Sequence, residues 1–232
     1  MLRMEKVTKS YAHRRGGVVA LDGVDLEIKG GDFVSLVGPS GSGKSTLLLM
    51  LGGMLSPTSG EVFLNGQSIY AQDADGRARL RRANIGFVFQ TFNLAPYLTA
   101  LENVQVPLYL AGVGPAAQRQ RAAALLNRVG LAERIDHKPA ELSVGQQQRV
   151  ALARMLANDP SIILADEPTG NLDPDTADQV IGFFEQLHQE GRTIVMVTHD
   201  PRAAARAQRT LRIENGKVQE LRTARDRRLH VA

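Results

Sequence analysis

The chain has 232 residues, 43% hydrophobic and 22% charged, the make-up of an ordinary globular protein whose core holds without disulfides or metals. It contains no cysteine, which excludes a disulfide framework and a thiolate metal site and fits a reducing compartment. The formal charge is +4, and the longest apolar run, LLLMLGGML at residues 47–55, is far short of the roughly 18 to 20 residues of a membrane-spanning helix.

The opening stretch, MLRMEKVTKSY, lacks the apolar segment of a signal peptide, so a cytoplasmic location is expected unless a partner holds the chain elsewhere. FVSLVG (33–38) is short, apolar and rich in β-branched residues, and reads as a buried strand. A glycine-rich loop and a helix starting near Lys44 follow. EVFLNGQSI reads as a hairpin, because Asn65-Gly66 supplies the two positive φ values of a type I′ turn. IGFVFQ (85–90) is a second buried strand. From Thr99 to Asn158 the strand signal disappears, and three segments look helical: LENVQVPLYLAG, PAAQRQRAAALLNRVG and QQQRVALARMLAND. SIILADE (161–167) and TIVMVTH (193–199) are further buried strands, and LRIENGKVQEL is a second hairpin, around Asn215-Gly216. Strands alternating with helices argue for an α/β fold with a mostly parallel sheet. One domain spanning 1–232 is expected, with a helical subdomain at about 91–158 and a basic C-terminal tail at about 217–232.

That tail carries Lys217, Arg222, Arg225, Arg227 and Arg228 against Glu220 and Asp226. It reads as a solvated end or as a contact for anionic lipid or nucleic acid. No aromatic residue is interleaved with the arginines, which weighs against single-strand binding.

The strongest motif is GPSGSGKST, which comprises Gly38, Pro39, Ser40, Gly41, Ser42, Gly43, Lys44, Ser45 and Thr46. It fits the G-x-x-x-x-G-K-[ST] phosphate loop and has a strand before it and a helix after it. Backbone N–H groups and the helix N-terminus form an anion site there. Glycines let the main chain approach phosphate oxygens with no Cβ in the way. Lys44 is expected to reach the β- and γ-phosphates of ATP, and the Ser45 hydroxyl to ligate Mg²⁺. In SIILADEP a strand ends in adjacent carboxylates. Neighbouring strand residues point to opposite sides, so Asp166 and Glu167 are free to take different tasks, one in the Mg²⁺ shell and one orienting and deprotonating water. In ELSVGQQQRVALAR, Ser143 and Gln146 form a capping box, Val150, Ala153 and Leu156 make an apolar stripe, and the helix start beside Gly145 is a second anion site.

These motifs together resemble the ATP-binding subunit of ABC transporters, whose LSGGQ signature LSVGQ matches except at Val144. The resemblance covers residues 2–221 and implies a P-loop NTPase (RecA-like) α/β core with an antiparallel β subdomain and an inserted helical subdomain. It implies that Ser143 and Gly145, with Gln146, meet the γ-phosphate of ATP held by a second copy, in a homodimer formed with ATP. Tyr11 stands where the family stacks an aromatic residue on adenine. Gln90 stands where a glutamine senses Mg²⁺ and the γ-phosphate and faces the membrane partner. Asn171, Leu172 and Asp173 match the loop that crosses the dimer interface, and His199 the family's γ-phosphate contact. The implied activity is ATP hydrolysis powering a separate integral membrane permease, with the chain peripheral on the cytoplasmic face and no nucleic acid bound. FVFQTFNLAPYLTALENVQVPL and ADEPTGNLD are similar to the lipoprotein-release and macrolide-export group, in which dimerisation drives mechanical movement across the membrane. The alternative is a regulatory or soluble ABC ATPase acting on a cell-envelope partner or nucleic acid without transport.

Overall fold

The computed structural model describes residues 1–12 and 17–221. Along the chain run β1 (Leu2–Tyr11), β2 (Val18–Ile28), β3 (Phe33–Val37), α1 (Lys44–Leu51), β4 (Ser59–Leu64), β5 (Gln67–Ser68), α2 (Ala74–Asn84) and β6 (Ile85–Val88). Next come α3 (Ala100–Leu110), α4 (Pro115–Arg128), α5 (Val144–Met155), β7 (Ile162–Asp166), α6 (Pro174–Gln189), β8 (Thr193–Val197), α7 (Pro201–Ala205), β9 (Arg209–Glu214) and β10 (Lys217–Leu221).

Two sheets form. A six-stranded sheet has the order β10-β9-β3-β8-β7-β6 and is parallel except for the β9–β10 hairpin. A four-stranded antiparallel sheet has the order β2-β1-β4-β5. Both Asn-Gly turns take left-handed backbone at both residues, with φ of 51° and 82° at Asn65 and Gly66 and 50° and 74° at Asn215 and Gly216, as a type I′ hairpin requires.

The strands of the large sheet are apolar throughout because both of their faces are covered. Along β7, Ile162 and Leu164 pack with α1 and the small sheet, while Ile163 and Ala165 pack with the helices on the other side. Helix α1 is sandwiched between the sheets, with Leu47, Leu48, Met50 and Leu51 all fully buried. Gly52, at its end, lies against Phe87 of β6, so closely that a Cβ there would stand 1.9 Å from the ring.

Helices α3 to α5 fill the span between β6 and β7. Thr99 and Glu102 close a capping box on α3, and Ser143 and Gln146 close one on α5. Residues 91–99 have no helix or strand and are held by side chains instead. The Asn103 amide bonds to the backbone of Ala95, Leu98 and Thr99, and Arg154 of α5 donates to the carbonyls of Phe92 and Asn93, both at 2.6 Å. Residues 217–221, read both as the second strand of the LRIENGKVQEL hairpin and as the start of the basic tail, pair with β9 as the hairpin reading expects. Lys217 bonds Asp22 at 2.8 Å, and Arg209 bridges Asp32 and Glu220. Antiparallel pairing with β9 satisfies backbone groups that a solvated tail leaves to water. The rest of the expected tail, 222–232, lies outside the described residues.

Candidate functional site

The site grows from the end of β3. The chain turns through residues 38–43 and enters α1 at Lys44. Gly38 (φ 153°) passes so near β9 that a Cβ would sit 2.3 Å from the Ile213 carbonyl oxygen. Gly43 (φ 103°) would bring one within 2.4 Å of the Ala20 carbonyl oxygen. The loop is therefore wedged between two strands in a shape only glycine allows. Gly43 offers α1 no side-chain cap, so the helix's first N–H groups are left to whatever fills the concavity. The Lys44 ammonium folds back and donates to the carbonyls of Gly38 and Pro39, each at 2.9 Å.

The two carboxylates at the end of β7 diverge. Asp166, the last residue of the strand, accepts a hydrogen bond from Ser45 Oγ at 3.1 Å. Burial, reinforced by the charge of Glu167, pushes its carboxyl above the usual aspartate range against the pull of Ser45 and Lys44. Glu167 was expected to differ by strand alternation, but the strand has already ended. Its backbone is left-handed at φ 47°, and its N–H donates to the Val197 carbonyl at 3.0 Å. A non-glycine residue in this region is strained and is held by its surroundings. The Glu167 carboxylate meets His199 through the ring Nδ1 at 2.9 Å and the backbone N–H at 3.3 Å. His199 and Gln90 each lie two residues beyond the ends of β8 and β6, on the bends that follow and not on the strands.

A cleft of about 400 Å³ gathers Tyr11, Ser40, Gly41, Gly43, Lys44, Ser45, Thr46, Gln90 and Glu167. Tyr11 is 41% exposed and its hydroxyl lies 3.5 Å from Thr46 Oγ1, at the outer edge of the cleft. Ser45 and Asp166 offer converging oxygens that suit a hard cation, and a positive charge there relieves the half-buried Asp166 carboxylate. Among the described residues no group of three or more His, Cys, Asp or Glu is placed to hold a metal ion; Gln90 lines the same cleft as Ser45.

Ser143, Gly145, Gln146 and Asp173 do not line this cleft. The first three sit at the start of α5. Asp173 caps α6 by accepting from the Thr176 N–H at 3.0 Å, and that bond holds its carboxyl below the usual range. A Cβ on Gly145 would stand 2.9 Å from Thr176 Cγ2, so this glycine also lets α5 pack on α6. Val144, the departure from the signature pattern, opens α5 without positive φ and is 49% exposed. The motifs did not point to Val18, Ala20 and Val197, which also line the cleft. Val18 and Val19, at the start of β2, are apolar yet about half exposed, as is the nearby Tyr11.

A strand feeding a glycine loop, with an acidic strand end lying across β8 from it, makes this a P-loop nucleotide-binding protein. Residues 21–170 match the family model described as ABC transporter, and the chain belongs to that family. It is 48% identical over 218 residues to the macrolide export ATP-binding/permease protein MacB of Hyphomonas neptunium. That match takes in 94% of this chain but 34% of the relative, so the chain spans about a third of that protein's length. It is 48% identical over 221 residues to YbbA of Escherichia coli K12, an uncharacterized ABC transporter ATP-binding protein, covering 95% of this chain and 97% of that one. Among solved structures, the dimeric ATP-binding cassette MJ0796 in a post-hydrolysis state bound to ADP and Pi superposes with a TM-score of 0.89. It shares 43% identity, with 96% of this chain and all of that one covered. The family and this structural match make the chain an ATP-binding, ATP-hydrolysing cassette.

Proposed function

We propose that this chain powers a separate membrane permease by hydrolysing ATP in a site completed by a second copy of itself. The phosphate loop and α1 N-terminus receive the triphosphate, and Tyr11 stacks on the base. Ser45, Asp166 and Gln90 would hold Mg²⁺, which when bound neutralises phosphate charge. Glu167 takes the proton of the attacking water as its oxygen bonds to the γ-phosphorus. The bond from that phosphorus to the β–γ bridging oxygen breaks, and ADP and phosphate leave. His199 orients the Glu167 carboxylate and contacts the γ-phosphate. Ser143, Gly145 and Gln146 of the second copy close the open side, and Asp173 lies in the segment that crosses between copies. Each group stabilises charge on the transferring phosphoryl.

The observation that carries this reading is the division of the adjacent acids: Asp166 turned to Ser45 of the phosphate loop and Glu167 turned to His199. Glu167→Gln is expected to bind ATP as the wild type does while phosphate release falls about 100-fold or more, the scale of a lost general base. Wild-type turnover in that variant removes Glu167 from the role.

The permease docks in an apolar groove of about 530 Å³ between α2, β6 and α3. Phe87, Phe89, Val106 and Leu110 line it together with Arg81 and Arg82. Phe89 immediately precedes Gln90, so a partner seated there touches the loop that leads into the cleft. The macrolide export relatives join an ATP-binding part and a permease in one chain, which supports a permease as the occupant. The chain is then peripheral to the cytoplasmic face of the membrane.

A further inference from the structure

Gln148 lies on the second turn of α5, five residues after the Ser143 cap, and is completely buried. Its Nε2 donates to the Pro168 carbonyl at 2.6 Å. Its Oε1 is buried without a protein partner among the described residues. An amide placed only to fill space is a poor choice there, because an apolar side chain of the same shape avoids an unpaired carbonyl. The feature that uses the amide is the bond to Pro168, which directly follows Glu167 in its left-handed conformation.

We propose that Gln148 is a positioning residue that holds the Glu167–Pro168 backbone in place and links it to the signature end of α5. This rests on the reading of Glu167 as the base. Three further contacts fit the link. Gly145 packs against Thr176, on the first turn of α6, where the segment beginning at Glu167 ends. The Asn171 amide donates to the Gln90 carbonyl at 3.0 Å within that segment. Arg154, on the same helix as Gln148, donates to the carbonyls of Phe92 and Asn93 just after Gln90. Helix α5 thus grips the Glu167 segment through Gln148 and the Gln90 loop through Arg154. Closure of a second copy onto Ser143 is transmitted to the base through one rigid element.

The test compares Gln148→Met, which keeps the volume and removes the donor, with Gln148→Glu, which regains a donor when its buried carboxyl is protonated. Both are measured beside Glu167→Gln in steady-state MgATP hydrolysis, with ATP binding and thermal unfolding recorded for each. Gln148→Met is expected to lose about 10- to 100-fold in kcat, the scale of a misplaced catalytic group. KM, ATP affinity and Tm are expected to stay near wild type. Gln148→Glu is expected to recover part of the rate as pH is lowered toward 6, which Gln148→Met does not. Wild-type kcat in folded Gln148→Met, with Glu167→Gln inactive, overturns the positioning role alone. Full turnover in Glu167→Gln overturns the base and the positioning role together. Parallel losses of Tm, ATP binding and rate in both Gln148 variants, at every pH, identify packing and also overturn the proposal.

Discussion

Asp166 shows how one residue is set at odds with the fold that carries it. Its folded carboxyl titrates above the ordinary aspartate value of 3.8, through burial first and the neighbouring Glu167 second. The sign follows from linkage: a raised carboxyl favours the fold at low pH, and that contribution is lost as pH rises from 3.8 through the raised value. Asp166→Asn keeps an acceptor for Ser45 and removes the half-buried charge. It is expected to raise the Tm of the nucleotide-free protein at pH 7 by a few degrees, where 1 kcal/mol corresponds to about 2–4 °C in a chain of this size. It is also expected to abolish the extra stabilisation that Mg²⁺ gives in the presence of ATP. Differential scanning calorimetry across pH reads both, and a lower Tm at pH 7 contradicts the account. Lys44, Ser45, Asp166 and Glu167 were legible because loop, lysine and acids have fixed order and spacing. The left-handed turn at Glu167 and its contact with His199 were not, since strand alternation says nothing about a residue already past the strand. Gln148 was hidden for another reason: in QQQR nothing distinguishes the glutamine that faces inward until α6 and the Pro168 turn are in place.

At the scale of elements, α1 is the link between nucleotide and core. Its N-terminus faces the cleft, and its last turn abuts β6, where Gly52 meets Phe87. Gly52 has an ordinary negative φ of −82°, so a substitution there acts through crowding and not backbone strain. Gly52→Ala is expected to destabilise the protein by about 1–3 kcal/mol, the usual range for overpacking. Urea unfolding measures this, and an unchanged midpoint shows that Phe87 yields freely. Element identity was mostly readable. Apolar runs gave β3, β6, β7 and β8, and the two Asn-Gly pairs gave both hairpins at their true turns. Helix α2 was missed because ADGRARLRRAN has almost no apolar face and shows itself only through the Asp73 cap. The β1–β2 pairing was masked by register shifts after Met4, Val7 and Lys9, which break the alternation a regular strand displays.

The whole molecule is a large sheet covered on both faces and a small sheet covered on one, with a cleft that lacks some of the motifs, and the parts placed elsewhere explain why. The signature end of α5 is absent from the cleft of its own chain, and Ser143 caps the Gln146 N–H there, leaving the earlier N–H groups of that turn to solvent or to an anion. The proposed head-to-tail pairing of two copies would bring a phosphate to that turn, and the cassette that matches this fold at a TM-score of 0.89 is itself a dimer. No local pattern encodes which surface meets which, so the composite site was legible only through the family resemblance. The most direct test is the solution mass of Glu167→Gln by light scattering, with and without MgATP. The account predicts a monomer without nucleotide and a dimer with MgATP, reversed when Ser143 is also replaced by a bulky residue. A protein that stays monomeric with saturating MgATP contradicts it.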